Sequence, residues 1–210
     1  PSPGDSGKEE RGRVLVIGGE IELAGAAMLA GVAALRAGAG KLQVAVAELA
    51  VPAVSVALPE ARVLALPRDT TGHVSDQAVE VVIDNASRCD ALLIGPGMMD
   101  DRAGLAKTLL ERASSHAVVV DAGALDAIAH APTRAGRVLT PNAGEMAGLL
   151  GWEKDRVDAD PLTAGLEAAR RFQAVVAMKG AITYVVSSEG RVGRYAGGGP
   201  GLGVSGAGDV

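Results

Sequence analysis

The residues best suited to chemistry lie late in the chain, where seven glycines fall between Gly197 and Gly208 and an aspartate, Asp209, follows. Glycine loses more freedom on ordering than any other residue, so such a run suits a backbone that must approach a ligand closely. Successive N–H groups in a loop of this kind form an anion-binding nest, to which a following helix adds its positive end. A carboxylate beside that nest is placed to take a proton from a hydroxyl under phosphoryl attack. The string Gly206-Ala207-Gly208-Asp209 lacks the Gly-Lys-Ser/Thr of a Walker loop, and by itself it is a weak signal.

Four other stretches stand out. In "ALLIGPGMMDD" (91–101) an apolar run ends in Gly95-Pro96-Gly97. Either Gly97 lets a ligand touch the backbone, or this is a tight turn with Asp100 or Asp101 capping the next helix. "TPNAGEMAGLLG" (140–151) places Asn142 as an N-cap with Glu145 three residues on, a capping box, and Gly151 as the helix stop. That structural reading explains the stretch almost fully. "VVVDAGAL" (118–125) puts Asp121 at the end of a buried run, where it either holds a loop or serves a site. "KGAIT" (179–183) joins two late apolar runs. His73, His116 and His130 have no metal-ligand spacing and read as surface residues, and the single cysteine, Cys89, reads as a small buried filler.

Elements must position these loops. Apolar runs at 13–18, 41–47, 62–67, 91–95, 117–121, 137–140, 174–179 and 182–187 predict strands; several are continuous, as in strands covered on both faces. Helices are predicted at about 24–38, 75–88, 101–115, 142–150 and 161–172. The alternation predicts an α/β three-layer sandwich with a mostly parallel sheet, whose ligands sit at the carboxyl ends of the strands.

Bulk composition excludes several classes. Hydrophobic residues make up 48% and charged residues 21% of 210, which is globular rather than disordered. A net charge of -5 and 2% aromatics offer no basic or base-stacking surface, so neither nucleic acid nor membrane is expected as a partner. One cysteine gives no internal disulfide and suits a reducing, cytoplasmic setting. Residues 1–12 read as a polar arm ahead of a single domain, 13–210.

Taken together, the ordered motifs "GG…AGA…ALRAGAGK", "IGPG", "VVDAGAL", "LTPNAGEMAGLLG", "MKGAIT" and "PGLGVSGAGD" resemble the NAD(P)H-hydrate dehydratases, the nucleotide-repair branch of the ribokinase-like superfamily. The resemblance runs from about Gly12 to Val210. It implies a ribokinase-like fold and an enzyme that restores hydrated NADH or NADPH, with ADP or ATP as co-substrate and Mg²⁺. It also implies a homo-oligomer, since relatives form tetramers and larger assemblies.

Carried over by position, Ala26, Gly97, Asn142 and Asp209 would contact the hydrated substrate, with Asp209 the catalytic carboxylate. Lys179, Gly180, Ala181, Ile182, Thr183 and Gly208 would hold the adenosine phosphate. No metal ligand is carried over. The chain departs from the family pattern at three positions. Asn142 stands in place of a histidine, Ala207 in place of a serine or threonine, and Val204 where threonine is common. The Gly-Ala-Gly-Asp form also resembles small-molecule kinases of the superfamily, and the lost histidine leaves a non-catalytic nucleotide-binding remnant as a third reading. Because the family continues past the aspartate with helices, the domain 13–210 is expected to lack its C-terminal helices.

Overall fold

In a computed structural model, which describes residues 10–70, 74–99, 104–112 and 117–197, the apolar runs form one sheet. Its strands are β1 (Arg13–Ile17), β2 (Lys41–Ala47), β3 (Ala61–Leu66), β4 (Ala91–Ile94), β5 (Ala117–Val120), β6 (Arg137–Leu139), β7 (Val175–Met178), β8 (Thr183–Val186) and β9 (Val192–Tyr195). They lie in the order β3-β2-β1-β4-β5-β6-β7-β8-β9. Every pair from β3 to β7 is parallel, and β8 and β9 add antiparallel at one end. The α/β fold class is as predicted. Chain order reverses between β1 and β4, which is where a sheet of this kind opens a crevice above its carboxyl edge.

The helices are α1 (Ala24–Arg36), α2 (Val51–Ala57), α3 (Ala78–Ala86), α4 (Leu105–Arg112), α5 (Ala143–Leu150), α6 (Lys154–Ala159) and α7 (Pro161–Phe172), with a 3-10 segment at Ala122–His130. Two layers of core result. On one face Leu15, Ile17, Leu92, Ile94, Val120, Leu139 and Val176 pack against α3 to α7 and the 3-10 segment. On the other, Val16, Val44 and Val46 pack against α1 and α2, and this second cluster extends only as far as Leu93 of β4. Further along that face Val119, Val138, Val175 and Ala177 are half-buried, so the double coverage that their apolar runs predict holds fully only for the β1–β2 end.

Among the described residues five elements have no counterpart in the sequence reading: α2, α6, β9 and the 3-10 segments Glu48–Ala50 and Ala122–His130. All but the last are short, and Ala122–His130 packs Ala124, Leu125, Ala127 and Ile128 into the core. β9 has no buried residue, so it carries no alternating pattern to detect. Cys89 is buried and His130 exposed, as expected; His73 and His116 lie outside the described residues. Among the described residues no helix is long and apolar enough to cross a membrane.

Candidate functional site

The described loops that follow β1, β4, β5, β6 and β7 leave the same edge of the sheet. After β1 the chain passes through Gly18 and Gly19, and after β4 through Gly95-Pro96-Gly97. The two loops are stitched by Gly19 N–H to Pro96 O (2.7 Å), Glu20 N–H to Gly97 O (3.0 Å) and Met99 N–H to the Glu20 carboxylate (3.2 Å). Gly97 has φ +73°, and a Cβ built on it would lie 2.4 Å from Leu23 O. Only glycine meets both conditions. Gly97 therefore rests on the turn that leads into α1, against Leu23 O, and the same carbonyl accepts from Ala26 N–H at 3.0 Å. The structure thus brings Gly97 and Ala26 onto one junction at Leu23 O.

The ends of β5, β6 and β7 hold a second group. Asp121 Oδ1 accepts from the Thr140 hydroxyl (2.6 Å) and from Lys179 Nζ (2.8 Å), with the Asp121 side chain 8% exposed. On the other side of Lys179, Glu145 Oε2 stands 4.0 Å from the ammonium. Glu145 is fixed by the capping box of α5: its Oε2 accepts from Asn142 N–H (2.7 Å) while Asn142 Oδ1 accepts from Glu145 N–H (2.9 Å). Gly151 closes the same helix in the left-handed conformation, as expected. Lys179 is anchored a second time, by its own N–H to Pro141 O (2.9 Å). Past it, Gly180 and Ala181 are exposed, and Ile182 and Thr183 half-buried, on the way into β8.

The two groups are joined through β5: Asp121 N–H donates to Ile94 O (2.9 Å) and Gly123 N–H to Met98 O (3.2 Å). From β1 to β7 the edge crosses four strand gaps, about 19 Å at roughly 4.8 Å each. Asp209 and Gly208, and with them the glycine-rich loop, lie outside the described residues. Among the described residues no three of His, Cys, Asp and Glu cluster as a metal site.

Sequence reasoning noted Asp121, Asn142 and Lys179 separately but not their union, and it missed Thr140 altogether. A threonine before a proline at a strand end has no spacing signature; only the packing of β5, β6 and β7 makes it the third member.

A family model described as NAD(P)H-hydrate dehydratase matches residues 14–210. The ADP-dependent (S)-NAD(P)H-hydrate dehydratase of Xanthomonas campestris pv. campestris is 46% identical over 215 residues, covering 100% of this chain and 72% of that protein. A bifunctional NAD(P)H-hydrate repair enzyme of Moorella thermoacetica is 39% identical over 210 residues, covering 95% of this chain but only 39% of the longer protein. Among solved structures, the ADP/ATP-dependent NAD(P)H-hydrate dehydratase of Bacillus subtilis, co-crystallized with ATP/Mg²⁺, superposes with a TM-score of 0.80 at 27% identity, covering 98% of this chain and 71% of that one. A ribokinase-like superfamily protein of Enterococcus faecalis also gives 0.80, at 22% identity and with 100% and 71% covered, and this match carries the ribokinase-like fold alone. With the family model matched over nearly all its length and a 46% identical relative covered to 72%, the chain belongs to the NAD(P)H-hydrate dehydratase family.

Proposed function

We propose that the protein repairs nicotinamide nucleotides, dehydrating hydrated NADH or NADPH at the expense of ADP or ATP. The observation that carries this reading is the stitched junction of Gly97 with the Leu23–Ala26 turn at the β1/β4 switch point, set along one edge from the Asn142 and Lys179 group. Hydroxide is a poor leaving group at neutral pH. Transfer of the terminal phosphoryl group to the ring hydroxyl turns it into phosphate, which departs as the ring loses a proton and regains its double bond. Asp209 takes the proton from the hydroxyl as the oxygen attacks phosphorus, a role worth about 10²- to 10⁴-fold in rate.

Gly97 and Ala26 would present backbone to the hydrated nucleotide, and Asn142 offers a neutral amide hydrogen bond in place of histidine. The 179–183 segment and Gly208 receive the adenosine phosphates. Mg²⁺ suits hard oxygen donors and is commonly held by one or two carboxylates plus substrate phosphates. Among the described residues no such set is assigned: Asp121 is paired with Lys179, and Glu145 is held in the α5 capping box. When bound, the ion neutralises phosphate charge. In this reading the protein is a cytoplasmic homo-oligomer, a tetramer like its relatives.

The test is to mix the full-length protein with hydrated NADH and ADP or ATP and follow the return of absorbance at the NADH band. Recovery that depends on the nucleotide supports the reading. Saturable nucleotide binding without recovery would replace it with a binding role, and phosphorylation of a vitamin precursor or sugar instead would replace it with a kinase.

A further inference from the structure

The bridge across β5, β6 and β7 assigns Asp121 a task that the family motifs leave open. We propose that Asp121, backed by Thr140, is a positioning residue that fixes the Lys179 ammonium, and with it the start of the 179–183 segment, before a nucleotide phosphate arrives. This inference rests on the reading of that segment as the nucleotide site.

Three observations support it. First, one oxygen of Asp121 serves both partners: Oδ1 accepts from Lys179 Nζ at 2.8 Å and from Thr140 Oγ1 at 2.6 Å, so the neighbouring strand's hydroxyl orients the carboxylate toward the lysine. Second, the backbone under Asp121 is over-determined. Its N–H is held by Ile94 O, its carbonyl oxygen accepts from Ala124 N–H at 3.1 Å, and Ala122, directly after it, has φ +45°, a left-handed conformation that is strained for a residue with a side chain. Strain of this kind persists only where surrounding contacts impose it, and here it aims one carboxylate. Third, Lys179 is held at both ends, by its N–H on Pro141 O and its ammonium on Asp121, while Gly180 and Ala181 just beyond are exposed. A lysine stem has four rotatable bonds, and fixing it in advance removes an ordering cost from ligand binding.

Simple electrostatics predicts the opposite consequence for one substitution. Removing a negative charge near an anion site should tighten the anion. If Asp121 instead acts by positioning, Asp121→Asn loosens Lys179 and weakens the nucleotide, so the sign of the change decides between them.

The experiment measures ADP affinity by titration in the full-length protein, its Asp121→Asn and Lys179→Met variants, and the double variant. The expected result is ADP binding at least fivefold weaker in Asp121→Asn, with kcat for cofactor repair changed less than the ADP KM. The Asp121→Asn step should have little further effect in the Lys179→Met background, because the aspartate acts through the lysine. Thr140→Val should follow in the same direction with a smaller loss. ADP affinity that is unchanged or tighter in Asp121→Asn overturns the proposal. So does an equal loss in both backgrounds, which a metal-holding or purely structural aspartate would give. Amine labelling read by mass spectrometry supplies a second measurement that needs no ligand. Lys179 should react faster once Asp121 is Asn than in the natural protein; an unchanged rate overturns the proposal as well. Failure of the natural protein to bind ADP would remove the nucleotide reading itself, while the labelling would still decide whether Asp121 fixes Lys179.

Discussion

The carbonyl oxygen of Asp121 occupies the place where a side chain on Gly95 would begin: a Cβ built there would lie 1.8 Å from it. Gly95 also has φ +121°, a conformation closed to residues with a side chain. The two strands β4 and β5 can therefore carry their loops side by side only while position 95 is glycine. Gly95→Ala should lower stability by about 3 kcal/mol or more, from backbone strain plus a displaced strand end. A shift of the urea midpoint at unchanged slope would register this, and a midpoint equal to the natural protein's would contradict it.

Asn142 has two jobs that substitution can separate. Its side chain caps α5, so Asn142→Ala should cost about 1 kcal/mol in unfolding experiments. Asn142→His loses the same cap but restores the family's residue. It should tighten hydrated NADH and leave ADP affinity alone. Unchanged substrate affinity in the histidine variant would leave only the capping role.

Asp209 carries the proton transfer in the proposed reaction. Asp209→Asn keeps size and hydrogen bonding while removing the base, so ADP should still bind while turnover falls by about 10²- to 10⁴-fold. Turnover near that of the natural protein would remove Asp209 from the mechanism.

Cys89 gives a pH signature. Burial, and then the neighbouring Asp90 carboxylate, push its thiol pKa up. The folded value thus lies above the unfolded one, near 8.5. The stability this neutral thiol contributes is complete below the unfolded value and is lost as pH rises through the folded one. The thermal midpoint should fall between pH 8 and 10 by more than in Cys89→Ala. In the same range the native thiol should react with iodoacetamide more slowly than the urea-unfolded one. Equal slopes of midpoint against pH in the two proteins would show that the thiol contributes nothing.

Much of this molecule is legible in order along the chain. The parallel strands are short apolar runs flanked by turn residues, and α5 shows its start and stop at Asn142 and Gly151. The capping box needs only residues three apart, which is why Asn142 and Glu145 are found together before any fold is known. α2 and α6 fall outside because seven- and six-residue helices show too little periodicity to distinguish them from turns.

The sequence by itself determined the strand-loop-helix alternation, the loop chemistry and the family to which its motifs point, because each of these depends on residues close together in the chain. The tertiary structure alone decided which loops meet. Asp121 and Lys179 are 58 residues apart, and Glu20 and Met99 are 79 apart. Their contacts exist because β1, β4, β5, β6 and β7 pair in parallel register and so turn their carboxyl ends to the same edge. No local pattern encodes that pairing. It follows from packing the apolar face of the strands against the helices, a cooperative outcome of the whole chain, and it is what brings scattered strand-end residues together.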